Sequence, residues 1–472
     1  MRRLLLAVFA MLFVTACNGG GRSPAAERAF PPPIAGVDLA TADLSSLVFW
    51  GSGRTFADDI PAEVDRLFEA LRADPDERWT PFLLDLATIP TVFSERARQA
   101  LQSRLGDAGE MEVFGWVAKR GEQKPSEDTP QYLAFKQRLF AAIQPEIGAF
   151  LDPNAKRDIS AEEILWGGVR VDGIPPLESP KLVTPKDASA WMSFSDQILG
   201  VEINGDVRAY PRRIIDWHEM VNDTVGGVPV SLAYCTLCGT AILYDGRVGE
   251  TTYRFGTSGM LYRSNKLMYD RQTRTLWEQY TGVPVWGELA GSRIELKLLP
   301  VTHTSYGEWL AEHPATKVLD IDTGFQRDYG SGVAYREYFD SSQLMFPAPR
   351  QDGWLALKEV VFAVRLDGAL TAYPVKLLHQ RGFVADSIAG RAIVVLATAD
   401  GSGGRAYAAG ANSFAKFDRK KAALTTSDGR LWKVTESALV AEGGERLERL
   451  PGHNSFWFSV INHTENGRLF GP

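Results

Sequence analysis

Cysteine is scarce in this chain: three stand among 472 residues, with six histidines beside them. Two of the three, Cys235 and Cys238, sit in "SLAYCTLCGTAILYDG", and no second Cys-x-x-Cys follows, which excludes a closed four-cysteine zinc site. The chain also lacks any cluster of lysine and arginine. With a net charge of -7 it has no electrostatic footprint for a phosphate backbone, so nucleic acid is excluded as a partner. No Gly-x-Gly-x-x-Gly follows a strand, no Walker lysine pattern appears, and no Gly-x-Ser-x-Gly elbow is present. A nucleotide cofactor is therefore not expected.

Long apolar runs are missing as well. The longest, Leu4 to Val14, follows Arg2 and Arg3 and is too short to span a bilayer, which suits a signal-peptide core. Val14-Thr15-Ala16-Cys17 resembles the lipobox of bacterial lipoproteins, in which cleavage leaves the cysteine as the acylated N-terminus. "NGGGRSPAAERAFPPP" then reads as a tether, flexible at first and stiff later. The expectation is a protein of the cell envelope, lipid-anchored through Cys17 and facing the periplasm or exterior. There a thiol pair oxidises unless a metal or a reductant holds it.

What is present is an ordinary globular composition, 45% hydrophobic, enough for two or three domains with real cores. From about Phe56 to Leu151, "PAEVDRLFEALRA", "WTPFLLDLATI", "ERARQALQSRLG" and "TPQYLAFKQRLFAAIQPEIGAFL" carry apolar residues at three-and-four spacing. They predict helices broken at Asp-Pro, Ile-Pro and Gly-Asp. This stretch holds no histidine or cysteine and reads as a structural module or the contact surface for a protein partner. From Trp166 onward the texture is short β-branched runs between Gly and Pro turns, the grammar of strands.

Within that body a stretch recurs. "ILGVEINGDVRAYPRRIIDWHEMVNDTVGGVPVSLAYCTLCGT" from Ile198 aligns without a gap on "VFAVRLDGALTAYPVKLLHQRGFVADSIAGRAIVVLATADGSG" from Val361. Tyr210-Pro211 meets Tyr373-Pro374 and Asp223 meets Asp386. Trp277 is answered by Trp432, and His303 and His313 by His453 and His463. One supersecondary unit used twice is predicted. Positions common to both serve the scaffold, so the four histidines are assigned to structure. Cys235, Cys238, His218 and Glu219 meet Thr398, Gly401, Arg381 and Gly382, and their joint loss from the second stretch marks them as a shared site.

Pro211 suits the first turn of a helix running through "RRIIDWHEMVN", with His218 between Ile214 and Val221 on or beside its buried face. "GGVPVSLAY" returns as a strand that delivers Cys235. Because "TAILYDG" continues as an extended run, the two cysteines belong to a hairpin tip, the knuckle by which zinc and iron sites hold two thiolates. Completing a tetrahedron calls on His218 with Glu219, Met268 or Asp270, and a thioether beside thiolates suits copper. Dithiol redox chemistry is the alternative. A structural disulfide is a third reading, although so short a loop contributes only about 2 kcal/mol of chain-entropy stabilisation.

"YPRRIIDWHEMVNDTVGGVPVSLAYCTLCGTAILYDG", "FGTSGMLYRSNKLMYDRQTRTLWEQYTG" and "WLAEHP" together resemble a bacterial envelope-protein family designated domain of unknown function 3179. The likeness runs from Trp166 to the end. It implies functional or family positions at His218, Glu219, Asn222, Asp223, Cys235, Cys238, Gly239, Ser258 and Gly259, and further on at Met268, Tyr269, Asp270, Arg271, Trp277 and Gln279. Thr236 stands where many relatives carry proline. The family carries no established activity, so the resemblance implies where the site is and not what it does.

The sequence thus predicts an α+β protein: signal peptide and lipidated cysteine over 1–17, a tether over 18–55, a helical domain over 56–160, and a β-rich body of two copies over 161–330 and 331–472. Its candidate metal or redox residues are Cys235, Cys238, His218, Glu219, Met268 and Asp270. A zinc or copper ion is the expected cofactor. An exported lipoprotein that binds a soft metal is the leading reading, an envelope thiol-disulfide protein the alternative, and a non-catalytic scaffold at the membrane the third.

Overall fold

The computed structural model describes residues 62–471 except 92, 108, 110–112 and 124–127. The signal peptide, Cys17, the tether and the first residues of the helical region lie outside the described residues. Among the described residues no helix is long and apolar enough to cross a membrane.

The architecture is α+β, with helices first and a β-rich body of several sheets after them. Helices run over Ala62–Ala73, Thr80–Thr88, Ser94–Leu105, Val113–Glu122, Pro130–Ile143 and Pro145–Phe150. Proline sets two of the boundaries. Thr129 accepts from the Tyr132 N–H and Pro130 starts the helix where its missing N–H costs nothing; Pro145 then ends that run and opens the next one. The apolar face carries Leu83, Leu101, Phe140 and Ile147, all fully buried, and it does not close on itself. It packs into one core with Tyr262, Leu267 and Trp286 of the antiparallel sheet formed by Ile164–Trp166, Phe255–Tyr262, Asn265–Asp270, Leu276–Glu278 and Val283–Trp286. The helices and this sheet therefore stand on shared burial.

A second sheet holds the cysteines. Its order is Leu298–Leu299, Thr240–Asp245, Val228–Cys235, Met220–Val225 and Leu177–Glu178. The first two sheets meet in a cluster of Met220, Ala233, Ile242 and Tyr244 with Phe255, Met268 and Trp277; every residue of strand Asn265–Asp270 is buried, so polar side chains on it must find partners inside the protein.

Strand, strand, short helix, strand, strand occurs over Gln197–Ile203, Asp206–Pro211, Arg212–His218, Met220–Val225 and Val228–Cys235. The same order occurs over Val360–Leu366, Ala369–Pro374, Val375–Arg381, Phe383–Ile388 and Arg391–Ala397, starting 163 residues later. The Tyr210 hydroxyl donates to Asp223 at 2.8 Å, and Tyr373 to Asp386 at 2.7 Å. One register differs from expectation. His303 pairs with Leu199 while Phe362, 163 residues after Leu199, pairs with Asn454. In space His303 is answered by Asn454, which lies 2.9 Å from it, and not by His453. The shared histidine spacing in the sequence is one residue out of step with the strands.

The helix after Pro211 is also shorter than its pattern suggests. It stops at His218, because Glu219 takes the left-handed conformation (φ 54°) and closes the helix with its N–H on the Ile215 carbonyl; Met220–Val225 is a strand. Val221 is therefore not a helical neighbour of His218.

Candidate functional site

The cysteine hairpin forms as its residues dictate. Val228–Cys235 and Thr240–Asp245 are antiparallel, with Cys235 opposite Thr240. A single turn of 3-10 helix, Thr236–Cys238, joins them, and Gly239 (φ 59°) supplies the left-handed residue that lets the chain return. A Cβ at Gly239 would meet the Phe456 ring at 3.2 Å, so the position is held for glycine twice over. Cys235 and Cys238 form a disulfide across a Cα separation of 5.3 Å. Ser264, at the turn between Phe255–Tyr262 and Asn265–Asp270, places its carbonyl 3.2 Å from the Cys238 sulfur.

Both cysteines are buried, in an apolar cluster with Leu237, Tyr338, Phe456 and Phe458. The short helix Arg336–Asp340 lies over the hairpin tip, where the Tyr338 hydroxyl donates to the Leu237 carbonyl at 2.6 Å. Lys358 sits over the Tyr338 ring, 3.7 Å from its centroid, and donates to the Ser341 carbonyl at 2.7 Å.

Of the other expected residues, Glu219 comes nearest along the frame: its carbonyl accepts from the N–H of Tyr234, the residue before Cys235, at 2.9 Å, and its carboxyl is buried against Lys266, whose Nζ is 3.9 Å from Glu219 Oε2 and also donates to the Glu219 carbonyl. Burial raises the Glu219 carboxyl, opposed chiefly by the charge of Lys266. Burial likewise brings Lys266 down to about 8, opposed by Glu219. Each member is thus pushed toward its neutral form by desolvation and held charged by the other. Asp216 is brought up to about 6 by burial, opposed chiefly by Arg212 at 3.5 Å.

His218 points elsewhere. Its Nδ1 donates to the Pro175 carbonyl at 2.7 Å, so Nε2 accepts from the Tyr329 hydroxyl at 2.6 Å, and the ring packs against Phe325 at 5.3 Å. Burial depresses it to about 4, which keeps it neutral. With both nitrogens committed it has no lone pair for an ion. Met268 is packed with Met220, Ala233, Tyr244 and Trp277 in a different cluster from the cysteines. Asp270 is a turn cap: it accepts from the Thr273 N–H at 2.5 Å and from Trp277 Nε1 at 2.8 Å. Arg271 pairs with Asp172, not with Asp270. These side chains do not gather around the sulfurs.

The remaining family positions serve the frame. Asn222 donates to the Phe255 carbonyl and accepts from Ser231 and the Phe255 N–H, tying the two sheets together. Ser258 and Gly259 sit at the register shift between Thr257 and Met260, and a Cβ at Gly259 would lie 2.4 Å from the Val169 carbonyl. Gln279 donates to the Ala233 carbonyl at 2.9 Å.

Sequence reasoning passed over Lys266, although a lysine directly before the apolar run Leu267-Met268-Tyr269 of a strand is itself a signal that a buried charge has a partner. It also passed over a group in the distal half, Glu312, His313 and Glu436, whose ligand-type atoms lie within 4.8 Å of one another. There Arg405 reaches Glu436 at 2.5 Å and Glu312 at 2.6 Å, with Arg449 3.9 Å from Glu436, so the acid charge is already met by guanidinium.

No curated protein and no solved structure matches this chain. Residues 171–467 match the profile of the family described as Protein of unknown function (DUF3179). That span takes in the cysteine hairpin, Glu219, Lys266 and the covering helix, and the chain belongs to the DUF3179 family.

Proposed function

We propose that this is an exported, lipid-anchored envelope protein whose functional centre is a thiol-disulfide couple, Cys235 and Cys238. The observation that carries the reading is the pairing of the two cysteines at a glycine-turned hairpin tip, with the buried Glu219–Lys266 pair bonded through the Glu219 carbonyl to the strand that ends at Cys235. A structural staple over so short a loop needs no charged pair behind it. The chemistry is exchange with a partner dithiol. A partner thiolate attacks one sulfur, forms a mixed disulfide and expels the other sulfur as thiolate. The partner's second thiolate then attacks the mixed disulfide, and the partner leaves as a disulfide. Two electrons pass to the protein, and its two thiolates take up the two protons that the partner thiols released.

A soft-metal site remains as the second reading, favoured by the two-thiolate knuckle itself and by Glu219 as a neighbouring carboxylate, with zinc or copper as the ion. The committed nitrogens of His218 and the packing of Met268 in a separate cluster from the cysteines weigh against it. The two-copy organisation of the body belongs to the same proposal, supported by the 163-residue recurrence of elements and the repeated tyrosine-aspartate bond. On that organisation the second copy keeps the frame and lacks the chemistry.

The experiment is a thiol count and a metal analysis on protein purified without chelator or affinity-tag metal. Treatment of folded protein with dithiothreitol is expected to yield two additional thiols, with no stoichiometric metal. One zinc or copper per chain with both thiols protected would replace the redox reading by the metal one.

A further inference from the structure

Glu219 adopts a backbone conformation that its side chain disfavours. At φ 54° it closes the helix Arg212–His218, and the residue 163 positions on, closing Val375–Arg381 in the same way, is Gly382 at φ 80°. The backbone bonds match too: Tyr234 N–H donates to the Glu219 carbonyl at 2.9 Å and Ala397 N–H to the Gly382 carbonyl at 2.9 Å. Glycine takes this conformation without penalty, whereas a residue with a Cβ is strained there. The frame is therefore satisfied by glycine, and something else accounts for a buried carboxylate at this place.

The carboxylate's surroundings show what that is. Lys266 Nζ lies 3.9 Å from its Oε2, and the Glu219 carbonyl holds the N–H of Tyr234, which precedes Cys235. Lys266 lies two residues from Ser264, whose carbonyl contacts the Cys238 sulfur. The acid and the base thus stand together, tied through the Glu219 carbonyl to the strand that ends at Cys235 and through the chain of Lys266 to the turn that touches Cys238. The other titratable groups that feel the charge of Glu219 are Asp216, with Arg212 against it at 3.5 Å, and the buried phenols of Tyr234 and Tyr335.

We propose that Glu219 and Lys266 set the redox equilibrium of the Cys235–Cys238 couple by opposed charge, Lys266 favouring the thiolate expelled on reduction and Glu219 disfavouring it. The inference rests on the thiol-disulfide reading of the site. Reduction places new negative charge beside a fixed pair in a low-dielectric setting, where each member acts with little screening. Neither residue exchanges electrons; the partner dithiol supplies them, and the proton taken by the emerging thiolate is one that the partner thiols gave up. The two residues are positioning groups for charge, and their removal must act with opposite signs.

The test is the equilibrium with reduced and oxidised glutathione at about pH 8, near the ordinary thiol range, read by alkylation after denaturing quench. Wild type, Glu219→Gln, Lys266→Met and the double variant are compared, with folding followed by circular dichroism. Glu219→Gln is expected to move the equilibrium at least threefold toward the dithiol and Lys266→Met at least threefold toward the disulfide. The double variant, a neutral pair, should fall between them, and Glu219→Asp with Lys266→Arg should restore the wild-type position. Glu219→Gly, which the backbone accepts, is expected to shift the equilibrium in the same direction as Glu219→Gln, and it stands in if Glu219→Gln fails to fold. Shifts of the two single variants in one direction, or shifts below twofold, overturn the proposal while leaving the couple intact. A wild-type disulfide that does not exchange at all overturns the redox reading beneath it.

Discussion

His218 shows how a side chain read as a ligand becomes a structural one. Its two nitrogens end on Pro175 and Tyr329, and burial depresses it to about 4. His303 and His453 are brought down to about 3 by the same cause. Such a histidine stabilises the fold fully above its unfolded value of about 6.5, and the contribution is lost as pH falls through the folded value, because the unfolded chain binds the proton first. Asp216 and Glu219, whose carboxyls are raised by burial, work in the opposite sense and offset part of the loss. His218→Gln isolates the effect. Between pH 6.5 and 4 the stability curve of the variant, measured by urea unfolding, should be shallower than wild type by about 1.4 kcal/mol per pH unit, the weight of one proton. An unchanged slope would mean that His218 is not held neutral. His218 and Glu219 were equally visible in the sequence as reactive neighbours missing from the second stretch. What the pattern could not show is that the left-handed turn at Glu219 sends their side chains to different places.

At the scale of elements, most of the body was legible. Alternation and turn residues gave the strands, and the Asp-Gly after "TAILY" with the glycine after Cys238 placed the cysteines at a hairpin tip, as found. The overlong helix at Arg212 failed for a physical reason: "EMVN" has no glycine or proline to stop a helix, and the stop comes from a strained non-glycine residue. The covering helix Arg336–Asp340 was not legible, because its role rests on a contact about a hundred residues back along the chain. Two predictions belong here. Gly239→Ala should cost about 1–2 kcal/mol for the left-handed backbone, before the Phe456 contact is added; denaturant midpoints measure it, and a neutral change would deny the turn its glycine. Tyr338→Ala removes the bond to Leu237 and, at about 1 kcal/mol for that bond alone, should speed alkylation of the reduced cysteines roughly fivefold. An unaltered rate would show that access to the sulfurs does not run past this helix.

For the whole molecule, apolar periodicity identifies a buried face without saying what buries it. The helices share one core with the strands around Tyr262 and Trp286. Helical and β-rich parts should therefore unfold together, in one calorimetric transition, and two separated transitions would contradict the shared core. The anchor is a separate matter: Cys17→Ser is expected to abolish lipid labelling and release the protein from membranes, and unaltered partition would remove the lipoprotein proposal. The central claim concerns the cysteines, and its most direct measurement is a redox titration of the folded wild-type chain against glutathione, followed by alkylation and mass. The account predicts a reversible two-electron couple confined to Cys235 and Cys238, reached in the folded state. A disulfide that yields only after the chain is unfolded would contradict it.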